Sequence, residues 1–269
     1  MMFPLPTIIF SKNRAAQLDI LLRGMREHCS GVVPDVHILY RTTSPAFECG
    51  YAKLREKRIL PEIQWHRERM FKADLISILE GFPEKGPVML LVDDVVFHRP
   101  CALDQLLQAF TKRHLFISLR CSRTYGTHVP RFIALTPFLE WRWTFRKPRR
   151  TVWNYPFSVD GNIFHAGIVK ALAKKLDFKA PNSLEGALHA AKRSLMLWGK
   201  SRALGPLQPV LYNNPLNKVQ AEGETFHGDQ VPEMLNEKYC AGFVIDTVPL
   251  YAHVPKSTHD LAPVTFVNK

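Results

Sequence analysis

Hydrophobic positions along this chain follow two periods. Apolar residues run without interruption over 88–92, as in a strand buried on both faces, and 7–10 and 36–40 also read as strands. Between these runs, Leu18, Leu21, Leu22 and Met25 recur at helical spacing. Residues 51–58 also read as helical, 63–68 as a short strand, and Leu75, Ile76 and Leu79 mark the apolar side of a helix over 71–79. The first third therefore alternates strand and helix, which predicts a Rossmann-like α/β layer. Further on, the pattern predicts a helix over 103–110, a strand over 115–120, a strand and turn over 157–164 and a helix over 166–176. Ser183 is the expected N-cap of a helix from 184 to about 198, and a last helix is expected over 230–237. Residues 121–157, rich in Arg, Thr, Pro and aromatics, show no clear period; so long a stretch without elements is expected to be functional or mobile.

A chain of 269 residues that is 46% hydrophobic can bury a large core, which fits one large α/β domain or two intimate subdomains. Its five cysteines, Cys29, Cys49, Cys101, Cys121 and Cys240, are widely spaced and form no CxxC pair. That usage predicts reduced thiols in a cytoplasmic protein and argues against a disulfide scaffold or zinc ribbon. The opening MMFPLPTIIF has no basic segment before its apolar run, so no secretory leader is expected, and no apolar run approaches the length of a membrane span. Thirty-six basic against 24 acidic residues give a net charge of +12, which favours polyanions: nucleic acid, an anionic membrane surface or phosphorylated substrates. Part of the excess lies in WRWTFRKPRR, where Trp141, Trp143 and Phe145 interleave with Arg142, Arg146, Lys147, Arg149 and Arg150. Such a segment suits a peripheral hold on the inner membrane face or a glycolipid acceptor, single-stranded nucleic acid, or simply a solvated basic loop.

The candidate chemistry starts at PVMLLVDDVVF, where Asp93 and Asp94 end a buried strand. Ligands of open α/β sheets bind at the carboxyl ends of strands. Two carboxylates there are costly to desolvate unless something neutralises them, and a hard divalent cation carrying phosphates would do so. The alternative is a strand-end turn with solvated acids. Three further segments fall in order around this one: FSKNRAAQLDILL, SVDGNIFHAGIVKAL and DFKAPNSLEGAL. The first is a strand, a polar turn holding Ser11, Asn13 and Arg14, and a helix. The second holds the Asp160–Gly161 turn, and the third places Glu185 near a helix start.

This order resembles the GT-A glycosyltransferases, most closely the family 2 type, and the segments LVDDVVF, YPFSVDGNIF, PNSLEG and NNPLNKVQ look like a bacterial branch of that superfamily. The resemblance covers about residues 5–220. It implies a single domain over 1–269, a mixed sheet flanked by helices, with a nucleotide-sugar-binding half (1–120) and a donor-sugar and acceptor half (121–269). It also implies that Ser11, Asn13 and Arg14 contact the nucleoside and that Asp93 faces the ribose or a metal-bound water. Asp94 would hold Mn2+ or Mg2+ across the donor's diphosphate, Asp160 and Gly161 would line the donor sugar, and Glu185 would be the catalytic base. His253 is an additional candidate ligand for the metal, Lys72 and His98 are weaker candidates for phosphate contacts, and Asn213, Asn214, Asn217 and Gln220 could bond sugar hydroxyls or loop backbone. Two departures stand out: Val95 occupies the place of a third acid, and Gly186 follows Glu185 where the family carries an acid pair.

The activity so implied is metal-dependent, inverting transfer of a sugar from a nucleotide diphosphate to a glycan or glycolipid, by a cytoplasmic protein that binds no nucleic acid. The rivals are a nucleotidyltransferase on a similar scaffold and a basic nucleic-acid-binding protein without chemistry, against which the acids at 93 and 94 count. No G-x-S-x-G, H-E-x-x-H or dinucleotide G-x-G-x-x-G occurs, and in WGKS (198–201) Ser194 stands where a phosphate loop requires its first glycine.

Overall fold

A computed structural model describes residues 3–121, 123, 125, 129–143, 151–197, 199–219 and 226–268. The first half contains β1 (Phe3–Lys12), α1 (Ala15–His28), β2 (Cys29–Ser30), β3 (Val32–Arg41), α2 (Pro45–Glu56), β4 (Gln64–Arg67) and α3 (Phe71–Glu80). It continues with β5 (Pro87–Val92), β6 (Val95–Phe97), β7 (Cys101–Ala102), α4 (Leu103–Ala109) and β8 (His114–Ser118). The second half adds β9 (Phe132–Ala134), β10 (Leu139–Arg142), β11 (Asn162–His165), α5 (Ala166–Lys175) and α6 (Pro181–Leu197). It ends with β12 (Arg202–Gly205), β13 (Leu211–Asn213), α7 (Pro232–Cys240), β14 (Phe243–Ile245), α8 (Val248–Ala252) and β15 (Phe266–Asn268).

Among the described residues, nine strands form one mixed sheet in the order β4-β3-β1-β5-β11-β8-β12-β10-β9. The α/β class and the mixed sheet flanked by helices are as expected. Strands from the two halves interleave, since β11 is inserted between β5 and β8. Because successive side chains of a strand face opposite ways, the continuous apolar runs supply both faces. Leu5 and Ile9 of β1, with Met89 and Leu91 of β5, pack with Leu18 and Leu22 of α1, Tyr51 of α2 and Leu235 of α7. Ile8, Phe10, Val88 and Leu90 face the other way and pack with Leu75 of α3, Val169 of α5, and Leu184 and Leu188 of α6.

Strand direction decides where the polar residues meet. The strands β4, β3, β1 and β5 are parallel, so their carboxyl ends share one edge. β11 runs antiparallel to both β5 and β8, with Asn162 opposite Leu90 and Ser118. The residues just before β11 and just after β8 therefore arrive at that same edge.

The structure revises three expectations. Residues 121–157 are not without elements: β9, β10 and a short 3-10 turn at Val152–Asn154 lie there. In β10, Trp141 points inward between Glu140 and Arg142 and donates its indole N–H to the Trp153 carbonyl at 3.1 Å. Trp141 and Trp143 are core residues and not interfacial ones; Phe145, Arg146, Lys147, Arg149 and Arg150 lie outside the described residues. Finally, α6 starts at Pro181, whose fixed φ suits a first helical position, and Ser183 lies in the first turn, its hydroxyl accepting from the Lys179 and Ala180 amides at 2.9 Å. Among the described residues no helix is long and apolar enough to cross a membrane, and all five cysteines are free thiols.

Candidate functional site

A pocket of about 910 Å³ opens over the carboxyl edge of the parallel strands, within the usual size range of small-molecule sites. Ser11, Arg14, Asp93, Asp94, Asp160 and Glu185 all line it, so residues 174 positions apart in sequence (11 to 185) share one cavity.

Its deepest part is built on Asp93. Asp93 directly follows β5, its N–H donating to the Phe10 carbonyl at 3.1 Å, and it is buried. One carboxylate oxygen accepts from the Ser11 hydroxyl at 2.9 Å and the Lys12 amide at 3.0 Å. The other accepts from Arg14 Nη1 at 3.0 Å, and the same nitrogen donates to Asp94 Oδ2, also at 3.0 Å. Arg14 is fixed in turn by Asn217, whose side-chain and backbone oxygens accept from Nε and Nη2. The cation that neutralises the two aspartates inside this chain is thus a guanidinium, supplied by the turn after β1. Burial pushes the Asp93 carboxyl up to about 6; Arg14 opposes the rise and Asp94 adds to it. Burial of Arg14 works against its charge, but the two aspartates outweigh it and hold the guanidinium pKa above its ordinary value.

Tyr51, which no motif singled out, buttresses this corner from α2. Its hydroxyl lies 2.6 Å from Ser11 Oγ and accepts from the Arg14 amide at 3.3 Å. Asn13 is held in its own turn: its φ is +57°, its side chain accepts from the Thr43 amide at 2.9 Å and it donates to the Thr43 hydroxyl at 2.7 Å. It does not line the pocket.

A second ion pair stands across the cleft. Arg120, just beyond β8, donates to Asp160 at 2.8 Å, to Asn213 at 3.3 Å and to Ser158 at 2.5 Å. Asn213 in turn donates to Asp94 at 2.9 Å, so the two guanidinium centres are joined through one amide. Asp160 also faces the His259 ring at 3.5 Å. Burial would raise the Asp160 pKa, but Arg120, His259 and Ser158 together hold it down at about 2. Arg120 and His259 were not legible as site residues; the one signal for Arg120 was its place at a strand's carboxyl end. Gly161 does not line the pocket. Its φ of +99° and the Leu211 methyls, which would stand 2.8 Å from any Cβ, make it the turn that lets Asp160 reach the edge.

Glu185 is on α6. Its Oε1 accepts from the Val159 amide at 2.7 Å and its Oε2 from the Tyr155 hydroxyl at 3.2 Å. Burial, then the Asp160 charge, raise its carboxyl to about 7 against the pull of Arg120 and the Val159 amide. Two carboxyls in one pocket are thus pushed in opposite directions, Asp160 down to about 2 and Glu185 up to about 7.

Other candidates are placed elsewhere. His253 donates toward Asp260 at 3.1 Å, packs on Tyr212 and does not line the pocket, whereas His259, six residues on, does. Lys72 pairs with Asp177 at 3.3 Å, and His98 is buried against Tyr212. Asn214 bonds Ala262, Asn213 and Asn217 serve the ion pairs, and Gln220 lies outside the described residues.

No protein-family model and no curated protein matches the chain. Solved structures do resemble it. UDP-glucose pyrophosphorylase complexed with UDP-glucose is 13% identical, with 77% of this chain and 92% of that one covered at a TM-score of 0.42. S. aureus TarS is 11% identical, with 70% and 34% covered at 0.41. Mouse xyloside xylosyltransferase 1 is 11% identical, with 77% and 78% covered at 0.35. The chemistry of the site rests on its own residues.

Proposed function

We propose that this protein is a glycosyltransferase that takes a sugar from a nucleotide-diphosphate donor and inverts the anomeric centre. One observation carries the reading: Ser11, Arg14, Asp93 and Asp94 at the strand edge share a pocket with Asp160 and a Glu185 poised near neutral pH. The donor's nucleoside lies at the β1 and β5 ends, over Ser11, Arg14 and Asp93. Glu185 takes the proton from an acceptor hydroxyl as that oxygen bonds to the anomeric carbon. The bond from that carbon to the diphosphate breaks, and a nucleoside diphosphate leaves. One carboxylate in this role fits inversion by direct displacement.

A divalent ion at this site would sit beside the Arg14 guanidinium and would have only two pocket-lining donors to draw on. Asp94 offers a hard carboxylate and His259 an imidazole, both lining the pocket. Among the described residues no three His, Cys, Asp or Glu side chains form a metal cluster, so Mg2+ or Mn2+ would be shared with phosphate oxygens and water, as such ions commonly are. When bound, the ion would stabilise the departing diphosphate.

The test is a thermal-shift screen of UDP, GDP, ADP and CDP and their sugar derivatives, with and without manganese. A bound ligand raises the melting temperature, by about 2.7 kcal/mol of added stability at a hundredfold excess over its Kd. A shift enhanced by manganese that loses the enhancement in Asp94→Ala supports the reading; no shift with any nucleotide refutes it. Release of nucleoside diphosphate on turnover supports a glycosyltransferase, and release of pyrophosphate a nucleotidyltransferase.

A further inference from the structure

One position in the pocket wall is not explained by the fold. Gly186 lies inside α6 and is not among the glycines with positive φ, and glycine there weakens a helix relative to alanine. Among the described residues, a Cβ on Gly186 would meet nothing within 4 Å, whereas one on Gly161 would collide with Leu211. Neither backbone strain nor close packing calls for the missing side chain. What surrounds it is the pocket: Asn182, Glu185, Gly186 and His189 all line it, at the i, i+3, i+4, i+7 spacing of one helix face. Leu184 and Leu188 turn into the core. Tyr155 covers the far end of this face, stacked on His189 with ring centroids 4.9 Å apart and planes 28° from parallel, its hydroxyl donating to Glu185.

We infer that Gly186 determines the specificity of an acceptor-sugar subsite. A pyranose ring of the acceptor lies over the bare Gly186 backbone, with its C–H face on the Tyr155–His189 pair and one hydroxyl at Glu185. A sugar is the ligand this wall fits, because it joins an apolar ring face to a polar edge, and the wall offers aromatic faces beside an amide and a carboxyl. Room for the ring is what the glycine provides. The inference rests on the transferase reading and adds to it the acceptor ring's position and the residue that makes room for it.

The experiment pairs Gly186→Ala and Gly186→Leu with the wild type, reading two signals. The first is the thermal shift with UDP, GDP, ADP and CDP in turn. The second is saturation-transfer NMR with the methyl glycosides of glucose, galactose and N-acetylglucosamine at millimolar concentration, nucleotide present. Open space at Gly186 lets both variants fold, and Gly186→Ala raises the melting temperature by about 1–2 °C. The result expected is saturation transfer to at least one glycoside in the wild type and its loss, by tenfold or more, in Gly186→Leu with the nucleotide shift kept. Equal transfer in Gly186→Leu, or a lowered melting temperature in Gly186→Ala, overturns the inference. A nucleotide shift with no transfer to any glycoside overturns it and leaves the transferase reading standing; no nucleotide shift at all removes both.

Discussion

Replacing Arg14 with methionine would keep a long apolar stem and remove a cation that both strand-end aspartates share. Asp93 is 3% exposed, so water cannot take over the lost contacts. Breaking a buried ion pair by deleting one partner costs about 3–5 kcal/mol. At about 2 °C per kcal/mol for a chain of this size, the melting temperature should fall by about 6–10 °C at pH 8. The loss should also depend on pH in a defined direction. Folding raises the Asp93 carboxyl from its ordinary 3.8 to about 6. The folded state therefore binds more protons than the unfolded state between those values. The stability so gained is full below 3.8 and is lost as pH rises through 6, a change of about 3 kcal/mol. Without Arg14 the folded carboxyl rises further, and the loss continues through neutral pH. The deficit of Arg14→Met relative to wild type should thus be smallest near about pH 5, where Asp93 is mostly protonated in both proteins, and should widen toward about pH 8. Calorimetry of both proteins across that range measures it, and Asp93→Asn in the variant background should recover part of the loss at the upper end. A deficit that stays constant over the range would refute the reasoning, leaving packing alone as the role of Arg14.

Glu185→Gln should slow turnover by about 10²–10⁴-fold while leaving the nucleotide thermal shift in place. The wild-type rate should fall as pH drops through about 7, because a base must be ionised and burial holds this one that high; a flat profile across neutrality argues against Glu185 as the base. Asp19, buried within α1, accepts from Arg23, from Lys57 at 2.7 Å and from the Tyr239 hydroxyl at 2.7 Å. Asp19→Ala should lower stability by about 3–5 kcal/mol, read by denaturant unfolding, with nucleotide affinity unchanged; an unaltered midpoint would show that this cluster does not tie α1 to α7.

Local pattern was enough for much of this protein. The helical spacing of Leu18, Leu21, Leu22 and Met25 became α1, and the run ending at Asp93 became β5, buried on both faces. Such elements are legible because burial on one helix face or two strand faces imposes a short period that neighbouring residues carry themselves. Asp93 and Asp94 were legible for a related reason, since charge at the end of an apolar run stands out in any window. Only the tertiary structure decided what neutralises them, because Arg14 lies 79 positions from Asp93 and Asn217 lies 203 positions from Arg14. It likewise chose His259 over His253 for the pocket, paired Arg120 with Asp160, and turned Trp141 inward in a segment whose sequence carries no period. Those outcomes depend on which strands become neighbours and in which direction β11 runs between β5 and β8. Pairing of that kind joins residues far apart in the chain, and no local period records it.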